Sequence, residues 1–376
     1  MLSVKKVIIY ICGLLLLASC NGQHTTSSVQ GGDTLQLKYA SLLSIVDYDG
    51  YSVVEIQNPW KTGKTLHRYV LVENASAQIP EKEQGSVIHT PLTQAAVFTT
   101  VHCSLLMNLD CQDKIAAVAD LQYIKIPWIH EQVSAGRIAD CGNGLNPVVE
   151  KIMDVKPDAI LLSPFENSGG YGKTEDLGIP IVECAEYMED SPLGRAEWMK
   201  FYGRLFGKRE KADSLFVVVD SNYHALCRQA QELGEGRRVL VDKMVGNVWY
   251  VPGGKSTIGQ MVRDAGGRSP WADDDHSGSL SLSFEAVLEN AADCDVWLFR
   301  YSANHSLTRE ELLSEHHGYT QFKSFREGEL YGCNVEQTLF YEEAPFRPDY
   351  LLSDFIQMVH PDKTQYPLKY FEKLRK

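Results

Sequence analysis

The stretch from Pro192 to Leu233, PLGRAEWMKFYGRLFGKREKADSLFVVVDSNYHALCRQAQEL, decides how the rest of the chain is read. It is the longest segment with helical spacing. Its second half sets Ala212, Leu215, Phe216, Val219, Tyr223, Leu226, Ala230 and Leu233 at steps of three and four. At 3.6 residues per turn those positions make one apolar stripe, and Lys208, Arg209, Glu210, Asp213 and Gln229 fall outside it. Gly234 and Gly236 end it. On either side, short apolar strands alternate with amphipathic helices. The expected architecture is α/β: two lobes with mainly parallel sheets joined by a long rigid helix.

Working outward, strands fit the first lobe (85–190) at Val87–His89, Ala95–Thr99, Ile115–Ala119, Asp158–Ser163 and Ile179–Cys184, with helices at His102–Leu109 and Pro147–Val155. The linking helix occupies 191–233. In the second lobe (234–376), strands fit at Arg237–Asp242, Val248–Val251, Asp295–Tyr301 and Leu330–Cys333. Its helices fit at Thr257–Ala265, Phe284–Ala291, Arg309–Glu315 and Arg347–Val359. Strand–helix alternation of this kind builds parallel sheets, whose carboxyl-end loops hold ligands. Before the lobes, Leu35 to Val72 alternates apolar and polar residues around turns at Asp49-Gly50 and Lys61-Thr62-Gly63. That period of two predicts a small β extension within 20–84.

The chain begins with Lys5 and Lys6, then an apolar run from Val7 to Ala18, ending in Leu17-Ala18-Ser19-Cys20. The run is too short to span a hydrocarbon layer of about 30 Å and suits a signal-peptide core over residues 1–19. Its end resembles a bacterial lipobox, which implies cleavage before Cys20 and acylation of that thiol; an ordinary secretory signal is the alternative. Residues 21–33 then read as a flexible tether. At 376 residues the chain has room for two cores, and its formal net charge of −13 disfavours nucleic acid and anionic lipid as partners. Of nine cysteines, Cys12 and Cys20 belong to the leader. Cys103, Cys111, Cys141, Cys184, Cys227, Cys294 and Cys333 form no CxxC pair, which speaks against structural zinc. An odd number leaves at least one thiol free, and most read as small buried hydrophobes.

Three segments, taken together, resemble one family. They are Gly144-Leu-Asn-Pro-Val-Val-Glu-Lys-Ile-Met-Asp-Val-Lys-Pro-Asp-Ala-Ile-Leu-Leu162, Gly246-Asn-Val-Trp-Tyr-Val-Pro-Gly-Gly-Lys-Ser-Thr-Ile-Gly-Gln-Met-Val-Arg-Asp-Ala-Gly-Gly267, and Arg347-Pro-Asp-Tyr-Leu-Leu-Ser-Asp-Phe355 through His360-Pro361. They resemble the substrate-binding proteins of ABC importers built on a helical backbone, in their bacterial lipoprotein form. The resemblance covers roughly 85–361 and leaves out 35–72, which looks like the N-terminal extension of lipoprotein members. It implies an exported monomer, held to a membrane only by its N-terminal lipid and facing the periplasm or the cell exterior. It implies a cargo of iron–siderophore, cobalamin or another corrinoid, or haem. It also implies a permease dimer as partner, with no cofactor of the protein's own and no catalysis.

Two glutamates are candidates for docking that partner. Asn146 can cap a helix starting at Pro147 and buried through Val148, Val149, Ile152 and Val155, which turns Glu150 roughly 150° from the buried face. Ser283 can cap a helix buried through Phe284, Val287, Leu288 and Ala291, with Glu285 roughly 110° off it. The resemblance implies that these two carboxylates meet permease arginines. Ligand candidates at strand ends and loops are His102, Tyr123, Trp128, Asn143, Phe165, Tyr171, Trp249, Tyr250, Trp271, Arg300, Tyr301 and Tyr341. Aromatics bury much area at little rotamer cost, and Arg300 can pair with a carboxylate, phosphate or catecholate. The pairs Trp249-Tyr250 and Arg300-Tyr301 stand out because each closes a strand.

Other motifs fail. Gly253-Gly254-Lys255-Ser256 lacks the earlier glycine of a phosphate loop, where Trp249 stands. Asp273-Asp274-Asp275-His276 reads as an acidic surface loop, and His316-His317 lacks metal-ligand spacing. No GxSxG elbow occurs, and Cys103 beside His102 has no supporting catalytic signature. An anchored enzyme or a metal- or cofactor-holding protein using the same cleft is the alternative from another class. An adhesion lipoprotein binding through its extension is a third, and on that division cargo binding survives deletion of residues 21–84.

Overall fold

The computed structural model describes residues 31–375, apart from 75, 78, 81, 82 and 167–169. The expected leader and the lipidation candidate Cys20 lie outside the described residues.

The extension forms a five-stranded sheet of β1 (Asp33–Thr34), β2 (Leu43–Tyr48), β3 (Tyr51–Gln57), β4 (Thr65–Val72) and β5 (Ser86–His89), in that spatial order. The first four run antiparallel, and Asp49-Gly50 closes the β2–β3 hairpin as expected, with Gly50 at φ 78°. Two expectations change. Val87–His89 is a strand, but it pairs in parallel with β4 in this sheet rather than opening the first lobe. Leu35, Leu37 and Tyr39 lie beyond β1 in irregular chain rather than in a strand.

That irregular segment is held by two buried carboxylates. Glu197 accepts hydrogen bonds from the backbone N–H groups of Lys38 (3.0 Å), Tyr39 (2.8 Å) and Ala40 (3.0 Å). Glu189 accepts from those of Ser41 (2.9 Å) and Leu42 (3.0 Å), from the Ser41 hydroxyl, and from Trp198 Nε1 (2.8 Å). Five consecutive backbone donors are satisfied by side chains 147 to 159 residues away, each bond being of the stronger, charge-assisted kind. Arg204, buried in the linking segment, adds a two-pronged pair with Asp47 of β2.

The first lobe is an all-parallel sheet of β6 (Ala95–Val97), β7 (Ile115–Val118), β8 (Ala139–Asp140), β9 (Ala159–Leu162) and β10 (Ile181–Glu183), ordered β10-β9-β6-β7-β8. Its central strands are apolar and wholly buried, as a doubly covered parallel sheet requires. The edge strand β10 is closed by the extension: the Tyr69 hydroxyl donates to Ile181 O (3.0 Å) and accepts from Glu183 N (2.9 Å).

The linking segment is three helices, Pro192–Glu197, Met199–Leu205 and Arg209–Leu233, not one. The chain turns at Gly207, at φ 64°. Gly203 lets the second helix fold tightly onto the third, since a Cβ there would sit 2.5 Å from that of Ala212. On the 25-residue helix the expected stripe is the inward face: Ala212, Phe216, Val219, Tyr223 and Ala230 are buried, and Leu215, Leu226 and Leu233 pack against the same core.

The second lobe holds β11 (Val239–Val241), β12 (Met244–Val245), β13 (Val248–Pro252), β14 (Ser279–Leu282), β15 (Val296–Tyr301), β16 (Leu330–Asn334) and β17 (Glu372–Lys373). Strands β11, β15 and β16 are parallel, with β17 antiparallel at the edge, in the order β11-β15-β16-β17. The strand at Val248 departs from expectation by joining a separate antiparallel sheet, β12-β13-β14. Helix Pro348–Val359 packs back toward the linking helix, and one apolar core runs from the extension through the linking segment into this lobe.

The extension is therefore part of the fold. Glu197→Ala leaves three part-buried N–H groups without their acceptor and is expected to cost about 2 kcal/mol or more in urea unfolding. A chain lacking residues 31–84 is expected not to fold cooperatively. A truncated chain with a normal unfolding transition would contradict this.

Candidate functional site

Residues at the carboxyl ends of β6, β11 and β15 line two adjoining hollows, the inner one between the lobes and the outer one on the second lobe. The inner one, about 550 Å³, is reached by Thr99 and Thr100 after β6, by Arg195 of the linking segment, and by Ile258, Arg300 and Tyr341 of the second lobe. The outer one, about 420 Å³, lies on the second lobe among Asp242, Lys243, Tyr250, Arg300, Tyr301 and Tyr341. A third hollow, about 370 Å³, lies on the first lobe among Leu145, Asn146, Phe165, Tyr171 and Lys173. Another, of about 410 Å³, sits at the amino ends of the second-lobe strands, where Arg237–Glu329 and Lys323–Asp295 are already paired.

Arg300 stands where the inner and outer hollows join. Its guanidinium is forked onto Asp242 (3.1 and 2.7 Å) and lies 5.8 Å from the Phe340 ring centroid. Burial works against its charge, and Asp242 more than restores it. Asp242 itself adopts φ 59°, a left-handed conformation uncommon outside glycine.

The expected ligand residues divide. Tyr250, Arg300 and Tyr341 line the second-lobe wall, with Tyr250 and Tyr341 a little under half exposed. Phe165 and Tyr171 line the first-lobe hollow, where Tyr171 donates to Glu183 (2.6 Å). Trp249 is excluded: it is fully buried against Trp297, Tyr319 and Phe322. Tyr301 reaches only the rim, its hydroxyl spent on Glu372 and Leu307 N. Neighbours on a strand point to opposite faces, so in each of the pairs Trp249-Tyr250 and Arg300-Tyr301 only one member can face the cleft.

His102 is also excluded from the wall, being fully buried beneath the inner hollow. It bonds the Thr99 hydroxyl through Nδ1 and lies 3.3 Å from Glu186 through Nε2. Tyr123 is exposed on the turn after β7 and belongs to the lining of none of these hollows. Trp128 packs against the first-lobe core and Trp271 against the second. Asn143 spends its side chain on the N–H groups of Leu145 and Asn146.

The linking segment supplies what the sequence reading left out. Arg195 lies on a helix buried nearly all round, through Pro192, Leu193, Gly194, Ala196 and Glu197. A charge inside such a helix is the signal that could have found it. Glu150 and Glu285 are exposed on their helices. Ser283 caps as expected, accepting from Ala286 N (3.3 Å). The other helix starts later, at Val149, with no side-chain cap, because Asn146 is drawn into the turn made by Asn143.

One set of described side chains could converge on a cation: His102, Cys184 and Glu186 offer ligand atoms within 4.8 Å of one another. All three are buried, and the Glu186 carboxylate already accepts from Tyr202 (2.8 Å). The seven described cysteines are unpaired. Burial, then the field of Glu342, pushes the Cys103 thiol up to about 12, far from a reactive thiolate.

The sequence model of a family described as periplasmic binding protein matches residues 98–336, both lobes and the segment between them. The chain belongs to that family. An uncharacterized lipoprotein of Methanocaldococcus jannaschii is 26% identical over 363 residues, covering 89% of this chain and 85% of the relative. The solved periplasmic haem-binding protein of Pseudomonas aeruginosa covers 76% of this chain and 99% of its own, with TM-score 0.59 and 13% identity. The periplasmic vitamin B12 binding protein of Vibrio cholerae covers 73% and 99%, with TM-score 0.54 and 15% identity. At such identities these likenesses show the fold. The family and these solved neighbours are binding proteins rather than enzymes.

In this periplasmic binding protein the two lobes touch beside the cleft. Buried Glu342 of the second lobe accepts from the Thr100 hydroxyl (2.9 Å) and from Lys125 N (2.9 Å) of the first, and Lys125 also pairs with Glu336. Glu342→Ala is expected to destabilise the free protein by about 2 kcal/mol and to enlarge its radius of gyration in X-ray scattering. Unchanged stability and scattering would show that this contact does not hold the lobes together.

Proposed function

We propose that the chain is the substrate-binding lipoprotein of an ABC importer, capturing an iron–siderophore or a corrinoid between its lobes and delivering it to the permease. The observation that carries this reading is the cleft itself: Tyr250, Arg300 and Tyr341 from one lobe, Thr99 and Thr100 from the other, and a linking segment behind them. Exposed tyrosines beside an arginine suit a large, partly planar or amphipathic chelate. Two fold neighbours that bind haem and vitamin B12, and a relative described as a lipoprotein, point in the same direction.

Export and anchoring follow from the leader and Cys20. No helix of the described residues is long and apolar enough to cross a membrane, so the lipid is the proposed tether. Glu150 and Glu285, one exposed carboxylate on each lobe, are the proposed contacts to permease arginines. Such rim charges register and steer a complex more than they tighten it. Hydrogen bonds from its own N–H and from Ser283 hold the Glu285 carboxyl below the usual glutamate range, so it stays charged. The linking helices favour a small hinge between lobes, because bending a helix breaks backbone hydrogen bonds; a free-to-bound rotation under roughly 20° is expected.

In vesicles carrying the cognate permease, the double variant Glu150→Ala, Glu285→Ala is expected to bind cargo within twofold of wild type while uptake falls at least about tenfold. Equal loss of binding would place these residues in the cargo site. Unimpaired uptake would remove them from docking.

A further inference from the structure

The inner hollow is lined by two arginines in an acidic protein. Among the described residues that line it there is no aspartate or glutamate, although the chain carries a formal net charge of −13. Three helices, Thr100–Asn108, Thr257–Asp264 and Pro348–Val359, each place first-turn residues in its wall. Their N-terminal ends bring partial positive charge and unpaired N–H groups. Two of the three lack a side-chain cap: the Thr99 hydroxyl is turned away to His102, and Arg347, at the cap position of the third, offers no acceptor, while Asp349 in that helix's first turn is paired with it.

The two arginines of the wall differ. Arg300 is neutralised by Asp242. Arg195 has no such forked partner: its Nε is sealed from solvent with no hydrogen-bond acceptor among the described residues, and Glu186 supports its charge through the field alone. Glu186, whose field it feels, is committed to His102 and Tyr202. A part-buried guanidinium whose Nε is sealed without an acceptor is costly, and the cost is recovered when an oxyanion enters. Around it, Ile258, Met261, Phe340 and Leu351 make the rest of the wall apolar.

We infer that the inner hollow is an oxyanion subsite in which Arg195 and the converging helix ends receive a carboxylate, catecholate or phosphate carried on an apolar body of the cargo. This rests on the cleft being the cargo site, and it selects anionic chelates over uncharged ones. Arg195 acts as the specificity residue, and Arg300, already paired, supplies shape and field.

The test is calorimetric titration of the full mature chain with ferric citrate, a ferric tris-catecholate, an uncharged ferric trihydroxamate and cyanocobalamin, whose phosphate bridge gives the phosphate arm. Arg195→Gln is expected to weaken the anionic chelate that binds at least tenfold, with Arg195→Lys between it and wild type. Should loss of Arg195 impair folding, Thr257→Glu places a carboxylate in the same wall at a helix start that tolerates it, and the same selective loss is expected. An anionic chelate bound within twofold by both Arg195→Gln and Thr257→Glu would overturn the inference, as would a wild-type protein that binds only the trihydroxamate. If none of the four binds, the transport reading fails, and free citrate and phosphate then decide the subsite. Melting shifts in wild type that vanish in Arg195→Gln would keep it, and no shift in wild type would overturn it.

Discussion

Five consecutive backbone N–H groups, from Lys38 to Leu42, end on the carboxylates of Glu189 and Glu197, and the rest of the structure is arranged around that junction. A buried donor without an acceptor costs more than the bond contributes when made, so neither carboxylate can leave without the other side coming loose. Both flank or begin the linking segment. The extension is thereby fixed to the part of the chain that sets the angle between the lobes. Asp47–Arg204 repeats the tie a few residues further on, and Tyr69 closes the edge of the first-lobe sheet from the same side. What reads as an appendage is the wall against which the linking helices are braced.

That bracing has consequences for the cleft. The helix carrying Arg195 starts just after Glu189 and ends on Glu197, so this residue of the inner hollow's wall is held by the junction itself. Thr99 is fixed from below through His102 and Glu186, and Arg300 through Asp242. The polar groups of the inner wall are oriented before any cargo arrives, which lowers the ordering cost of binding. The aromatic groups, Tyr250 and Tyr341, remain exposed and free to adjust. Rigid charge at the bottom and adaptable rings at the mouth suit capture followed by release.

Much of the fold was legible because it rests on periodicity. The stripe from Ala212 to Leu233 is the inward face of the long helix, and Arg309–Glu315 and Phe284–Ala291 form as expected. The failures share a cause. Gly203 and Gly207 read as ordinary residues of a spine, yet one permits a close helix approach and the other a reversal that only the three-dimensional packing demands. Val87–His89 has the pattern of a strand in either sheet, and pairing partners are not local. Trp249 and His102 carry the right chemistry for a ligand, but strand alternation and helix phase turn them inward. Glu197 and Arg195 were missed because charge in a helical stretch reads as solvated surface, and Glu189 because charge in a connecting loop reads the same way; only burial of the neighbours says otherwise.

Hydrogen–deuterium exchange of the mature chain, with and without saturating cargo, tests the central claim that cargo is captured between the lobes on a pre-braced frame. The account predicts slowed exchange at 99–101, 192–195, 242–250, 257–258, 300–303 and 339–348, with 38–42 slow in both states. Protection confined to the extension, or fast exchange at 38–42 in the free protein, would contradict it.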